Sequence, residues 1–430
     1  MIPRSLLVAS RGDIAICVMR AAAELGIRTV AIFAEDDTRA LHTRKADDAR
    51  ALSGTGAAAY LDGDQILAIA KDAGCDAIHP GCGFLSENAA FARRCHERGF
   101  IFVGPRPEIF ELFGDKAWAR SLAERCGVPV LTEMARTRTR RIEVQVIGDR
   151  AGNLSHLWER ECSIQREGQQ LIDIAPSPGL SADLRDGLIA AAMRIAGQAR
   201  YDNLGTFAFM VEAAADSNAT YAFIGAKPHL PVDHAVTEAV TDVDLVKLQL
   251  ELAAGKSFAD LGLCRADVPK PRGFAIAVRI GLEAIGAGDG ATPAGNALTV
   301  FEAPSGPGLR VDSSAYMGYI VKAGFDSPLA RLIAHSPSAD FADVVKRAYR
   351  ALCEFKVEGV ATNIGLQQSI LSHPDFSAHR IDTRFVDERI AELTASANSA
   401  HRRLFFDGSA ETTARRPAID PLFEGHALAF

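Results

Sequence analysis

The sequence predicts an α/β domain followed by a larger α+β domain. Three observations carry this. Between residues 5 and 103, short apolar runs alternate with amphipathic helical stretches, the pattern of βαβ units in a parallel sheet. From residue 141 the hydrophobic period drops to two and hairpin turns appear, which marks antiparallel strands. At 430 residues, 48% of them apolar, the chain can bury the cores of two or three domains.

Taken in order, Ser5–Ala9 is a buried strand, and Asp13–Leu25 is a helix with Ile14, Val18, Ala21, Ala22 and Leu25 on one face. Gly26 closes the helix, and Thr29–Phe33 is the next strand. A helix at Ile66–Ala73, a strand at Ala77-Ile78, a helix at Glu87–Arg98 and a strand at Phe100–Val103 continue the unit. The loop His79-Pro-Gly-Cys-Gly-Phe-Leu-Ser-Glu87 joins strand to helix, with Ser86 as helix cap and Glu87 in the first turn. Such a loop offers backbone N–H groups to an anion. After the first strand stands Ser10-Arg-Gly-Asp13 rather than Gly-x-Gly-x-x-Gly, so a dinucleotide site is not supported. Beyond residue 141, Ile142, Val144 and Val146 alternate with Glu143, Gln145 and Ile147, and after the turn Gly148–Asn153 a partner strand follows at Leu154–Trp158. A helix is expected at Asp183–Ala199, and a second hairpin at Thr206–Ala213 and Tyr221–Ile224, turning at Asp216-Ser-Asn218. Strands at Gly273–Gly281 and Ala297–Phe301 and helices at Val243–Ala253, Phe341–Phe355 and Thr362–Leu371 complete the pattern. From Ser396 onward the composition is that of a linker or loosely docked tail.

Composition narrows the function classes. A net charge of −7 with no basic run beyond Arg136–Arg141 argues against a nucleic-acid partner. No apolar run approaches the ~20 residues of a membrane helix, and the short apolar N-terminus is expected to be a strand rather than a signal peptide. Eight scattered cysteines without a Cys-x-x-Cys pair suit reduced thiols in a cytoplasmic protein, not a disulfide framework or zinc site.

Six stretches then point to a family. Asp76-Ala-Ile-His-Pro-Gly-Cys-Gly-Phe-Leu-Ser-Glu-Asn88, Phe113-Gly-Asp-Lys116, Glu159–Arg166 with Ala175-Pro-Ser-Pro178, His234–Leu245 and Gly359-Val-Ala-Thr-Asn-Ile364 together resemble the biotin carboxylases. Those ATP-grasp enzymes carboxylate biotin from bicarbonate and ATP. The resemblance implies a Rossmann-like N-terminal domain at residues 1–113 and an ATP-grasp remnant with a biotin-carboxylase C-terminal-type domain at 141–395. Residues 114–140 form a helix and short connector, and 396–430 a tail. The family's nucleotide lid belongs between Leu131 and Arg141, where only Thr132-Glu-Met-Ala-Arg-Thr-Arg-Thr-Arg140 stands. Nine residues cannot enclose a core, so the lid is expected to be missing.

The resemblance also implies which positions did chemistry. Activating bicarbonate with ATP calls for cations around the phosphates and carboxylates on Mg²⁺. The two metal-binding glutamates of the family fall at Ala208 and Gly225, and its nearby asparagine at Lys227, so no metal ligand is expected. The catalytic arginine falls at His229, and its following glutamine and acid at Pro231 and Asp233. A histidine and a lysine fall at Gly168 and Gln170, and Cys17 and Cys82 replace an arginine and a tyrosine of the anion site. Retained are Lys116, Gln165 and Gln169 for ATP, Val232 for bicarbonate or biotin, and Arg310 near both, with His229 and Arg310 as the remaining catalytic candidates. Cys82 would need a base partner, His79 or His234, to act as a nucleophile.

The expectation is therefore a degenerate biotin-carboxylase-like protein, unable to carboxylate biotin alone. It would scaffold a biotin-dependent acyl-CoA or pyruvate-type carboxylase, as a homodimer or beside an active homologue. The alternatives are an active carboxylase component, a ligase using ATP, Mg²⁺ and biotin on a separate carrier protein, or a small-anion or nucleotide sensor. No biotin-attachment sequence of the Ala-Met-Lys-Met kind is present.

Overall fold

A computed structural model describes residues 2–131, 138–213, 220–263, 268–282, 297–321, 328–398 and 401–405. The opening segment runs β1 (Ser5–Val8), α1 (Gly12–Glu24), β2 (Arg28–Ala34), β3 (Asp48–Leu52), α2 (Gly56–Ala59), α3 (Gly63–Asp72), β4 (Ala77–His79), α4 (Ala89–Glu97) and β5 (Ile101–Phe102). The five strands pair in parallel in the order β3-β2-β1-β4-β5, the doubly wound arrangement the alternating pattern predicts. Strand β3 went unread because its residues, Asp48-Ala-Arg-Ala-Leu52, are mostly polar or small and only Leu52 is fully buried.

Helices α5 (Pro107–Gly114) and α6 (Lys116–Arg125) follow. Asp115 caps α6, its carboxylate accepting the Ala117 and Trp118 N–H groups. The chain then enters a mixed segment: β6 (Thr139–Gly148), β7 (Leu154–Arg166), β8 (Gln169–Ala175), α7 (Ala182–Ala199), β9 (Asn203–Glu212), β10 (Tyr221–Lys227), α8 (His234–Thr241), α9 (Leu245–Ala253), α10 (Phe258–Leu261), β11 (Phe274–Ile280), β12 (Val300–Glu302), β13 (Leu309–Ser313) and β14 (Ala330–Ser336). Last come α11 (Phe341–Glu354), β15 (Lys356–Glu358), α12 (Ile364–Ser372), α13 (Pro374–Ser377) and α14 (Phe385–Asn398). Eight of these strands form an antiparallel sheet in the order β10-β9-β6-β7-β8-β11-β14-β13. Both expected hairpins are present. The turn at 216–218 lies outside the described residues, as do Cys264, residues 132–137 of the connector before β6, and the tail from 406.

Three expectations need correction. Helix α4 is capped by Asn88, whose side chain accepts the Phe91 N–H, so Ser86 and Glu87 remain in the loop. Residues 297–301 are not one strand: Ala297 makes an isolated bridge to Ile320, and β12 begins at Val300. Ser396 does not begin a linker, because α14 runs to Asn398. His401 then contacts Tyr349 and Ser369, and the Leu404 N–H bonds the Cys353 carbonyl.

The two sheets share apolar contacts. Leu6, Val8 and Val18 of the first sheet and α1 lie in one cluster with Ile147, Leu157, Leu204 and the apolar face of α9. Fully buried Arg331 on β14 donates to Asp13 of α1 at 2.9 Å. Apolar packing and this buried ion pair both join the two sheets.

Candidate functional site

The register of the antiparallel sheet builds the site. Arg160 on β7 stands opposite Glu143 on β6, Glu143 opposite Ala208 on β9, and Ala208 opposite Gly225 on β10. Directly opposed residues on antiparallel strands share a face, so these four form one row. Two residues along the same face, Gln145, Thr206 and Lys227 form the next row. The positions matched to metal ligands, 208 and 225, thus adjoin on one face as the resemblance requires, but they carry a methyl group and a hydrogen.

Charge on this face is paired internally. Glu143 is fully buried and accepts from Arg141 at 2.7 Å, with the Lys227 Nζ at 3.7 Å and the Arg160 guanidinium at 3.8 Å. Arg160, also fully buried, donates to Asp233 at 3.0 Å, Gln145 at 3.0 Å, Thr237 at 2.9 Å and Thr206 at 3.0 Å. Arg279 on β11 donates to Gln170 at 2.8 Å and Asp173 at 3.3 Å. Burial opposes ionisation of Asp233, yet Arg160 and Arg279 outweigh it and hold that carboxyl well below the usual range. Burial and the neighbouring Asp233 push Asp173 up to about 6. Burial likewise opposes the charge on Lys227, but Glu143 and Asp233 outweigh it and raise its pKa.

This network tests the divalent ion that the resemblance implies. Glu143, Cys162 and Asp233 bring ligand atoms within 4.8 Å of one another. Both carboxylates are already matched by arginine or lysine, and burial first, then Glu143, pushes the Cys162 thiol well above its usual range. A dication here would face Arg160, Arg141 and Lys227 at close range. The residues present do not fit Mg²⁺.

The remaining expected residues fall into separate groups. Arg310 on β13 donates to Glu238 at 2.6 Å and Asp312 at 3.0 Å, and contacts Cys17 at 3.9 Å. Its cation is thus countered before any bicarbonate arrives. His229 follows β10, with Nδ1 2.9 Å from the Glu87 carboxylate. Val232 is half-buried in the loop between β10 and α8. Gln165, near the end of β7, donates weakly to the Thr383 carbonyl at 3.4 Å, and Gln169 is exposed at the start of β8. Lys116 is exposed in the first turn of α6. The structure therefore gathers 208, 225 and 227 into one face, seats His229 against the glycine loop, and places Arg310 at the other end of α8. Sequence reasoning missed Glu143, Arg160, Asp173 and Arg279. The available signal was the polar set of β6, alternating with apolar residues as a solvent face would.

Family profiles match along most of the chain: the biotin carboxylase N-terminal domain over residues 2–110, the ATP-binding domain of the carbamoyl-phosphate synthase L chain over 98–261, and the biotin carboxylase C-terminal domain over 277–388. The second match covers the segment where the lid is expected to be missing. An ATP-grasp region is therefore present, and these matches lend no support to a degenerate member lacking its lid. Mitochondrial pyruvate carboxylase of Mus musculus is 36% identical over 481 aligned positions, covering 94% of this chain and 40% of that protein. Among solved structures, the biotin carboxylase domain of a single-chain bacterial carboxylase is 39% identical with a TM-score of 0.85, covering 92% of this chain and 99% of that one. A single-chain, multi-domain long-chain acyl-CoA carboxylase is 40% identical with a TM-score of 0.86, over 94% of this chain and 42% of that one. The chain spans about 40% of the length of the curated relatives it matches. No helix among the described residues is long and apolar enough to cross a membrane.

Proposed function

This chain belongs to the biotin carboxylase family, and from that premise we propose that it serves a biotin-dependent carboxylase as a non-catalytic component rather than as its ATP-using centre. One observation carries the reading: on the face where two carboxylates would hold a metal, Ala208 and Gly225 stand beside Lys227, whose ammonium lies 3.7 Å from buried Glu143. An ammonium takes the place of a dication and is itself neutralised. His229 and Arg310, the other cationic positions, are paired with Glu87 and with Glu238 and Asp312. Removing a single transition-state donor typically costs roughly 3 kcal/mol, so losing several charge-stabilising groups together leaves little rate.

The lid is part of the same proposal. Only residues 126–138 connect α6 to β6. The pyruvate carboxylase alignment uses about 404 residues of this chain (94% of 430) across 481 positions, leaving about 77 without a counterpart here, the size of a small domain. A bound triphosphate would then lie open to water.

A working biotin carboxylase component is the second reading. Overall similarity favours it, through the ATP-binding match over 98–261 and the relatives above. Either role pairs the chain with a biotin carrier on another chain or segment, and with a second copy or an active homologue. The acyl-CoA or oxo-acid substrate would belong to that larger assembly.

Calorimetric titration of the purified chain with ATP, with and without Mg²⁺, separates these readings. The expected result is no Mg²⁺-dependent binding up to millimolar ATP and no biotin-dependent phosphate release. Mg²⁺-dependent binding with phosphate release establishes the active reading instead. Binding indifferent to Mg²⁺ points to a nucleotide sensor in which Lys227 supplies the charge.

A further inference from the structure

We propose that the cavity lined by Arg106, Arg150 and Arg200 binds a small phosphate ester. Its volume is about 960 Å³, within the roughly 300–1,000 Å³ that suits a small ligand. Its walls come from both halves of the fold: the end of α4 and the residues around β5 on one side, the β6–β7 turn and the end of α7 on the other. The cavity is separate from the cleft of Lys227 and His229. Leu154, on its wall, packs with α7 and with Ile142, Val144 and Val146, the side of β6 that alternation sets opposite Glu143.

Positive charge is in surplus here because the two carboxylates of the cavity are already used. Buried Asp202 accepts from the Arg106 backbone N–H and from its Nε, each at 3.2 Å. The Arg106 Nη2 donates to the Arg200 carbonyl, so that guanidinium is held at two points. Buried Asp149 accepts from the N–H groups of Ala151 at 3.0 Å, Asn153 at 2.9 Å and Phe258 at 3.1 Å, and from the Asn153 side-chain amide at 2.8 Å. These donors shape the turn that carries Arg150 and occupy the carboxylate beside it. Arg150 influences Asp202 and His96 only through space. Among the described residues, neither Arg150 nor Arg200 forms an ion pair, and both are exposed.

Two unpaired guanidinium groups offer more donors than the two oxygens of one carboxylate can use, and the three oxygens of a phosphate match them. Beside them Phe100, Ile101 and Leu154 form an apolar wall, which the organic body of an ester covers and bare phosphate does not. Space is kept open by Gly197 in α7, where a Cβ would meet only Leu154 at 3.8 Å. An occupant touches both halves of the fold at the point where Arg106 and Asp202 join them.

The test uses the full chain, with phenyl phosphate and inorganic phosphate as probes in calorimetry and hydrogen–deuterium exchange. Phenyl phosphate is expected to bind with a Kd below about 1 mM, and inorganic phosphate about tenfold more weakly. Arg150→Gln combined with Arg200→Asn is expected to weaken phenyl phosphate at least ~10-fold; asparagine suits the left-handed backbone at 200. Gly197→Met fills the cavity from a regular helical position and is expected to weaken binding similarly. Exchange should slow at residues 96–106 and 149–154 when phenyl phosphate binds. No saturable binding up to about 10 mM, an affinity unchanged in both variants, or protection confined to β10 and the loop after it overturns the proposal. Lys227→Gln alters the cleft alone and is expected to leave phenyl phosphate binding unchanged. This result and the ATP titration therefore succeed or fail separately.

Discussion

His79 is fully buried, with Nε2 3.0 Å from the Gln249 side-chain oxygen Oε1 and Nδ1 accepting the Gly81 N–H at 2.9 Å. One nitrogen donates and the other accepts, so the ring is neutral, and burial lowers its pKa to about 4. Burial does the same to His42, whose Nε2 lies 3.0 Å from the Ile32 carbonyl. The unfolded chain takes up protons on these rings near pH 6.5, before the folded one does. Stability is therefore full above pH 6.5 and is lost as pH falls toward 4, by on the order of 1–3 kcal/mol per histidine. Urea titrations at pH 7, 5.5 and 4 check this, and His79→Gln should flatten the slope. A slope unchanged by that substitution would show that His79 protonates alike in both states. The glycine loop around His79 was legible as a strand-to-helix connection. Its internal bonding was not, because Gln249 lies 170 residues away.

Among elements, β6, β9 and β10 decide what the cleft can hold. Their register places 143, 208 and 225 in one row, and a Cβ at 225 would meet nothing within 4 Å. Space therefore exists for two carboxylates, although the backbone at Gly225, with φ +158°, strains any side chain placed there. Ala208→Glu with Gly225→Glu and Lys227→Asn is expected to bind Mn²⁺ at least ~10-fold more tightly than the parent, as measured by the loss of free-ion signal in electron paramagnetic resonance. Equal binding by parent and variant would mean that the strand face is not where a divalent ion is won or lost. The strands themselves were readable from their period, since apolar residues alternated as they must in a sheet. Which environment the polar half entered was not readable. Glu143 and Gln145 have the spacing of a solvent face but are fully buried, because α8, packed over this face with Asp233 at its cap, and the guanidinium of Arg160 close it.

Over the whole molecule, the two sheets are tied by charge as well as by apolar packing. Arg331 is 1% exposed and its counter-ion is Asp13, from a helix more than three hundred residues earlier in the chain. Asp13→Asn strands a buried cation, and is expected to cost about 3–5 kcal/mol. Because α1 and α9 also share a core, unfolding should remain a single transition. Far-UV circular dichroism and the fluorescence of Trp118 and Trp158 should shift together. Separate transitions would make residues 1–113 an independently folding unit. The order of elements, the parallel-then-antiparallel architecture and the family followed from the sequence by itself, because period, turn chemistry and motif spacing are local properties of the chain. The fate of the charged residues was decided only in the tertiary structure. Whether Lys227, His229 and Arg310 stay open to a ligand or close on Glu143, Glu87 and Glu238 depends on contacts between distant strands and helices, where desolvation and pairing set the balance of charge.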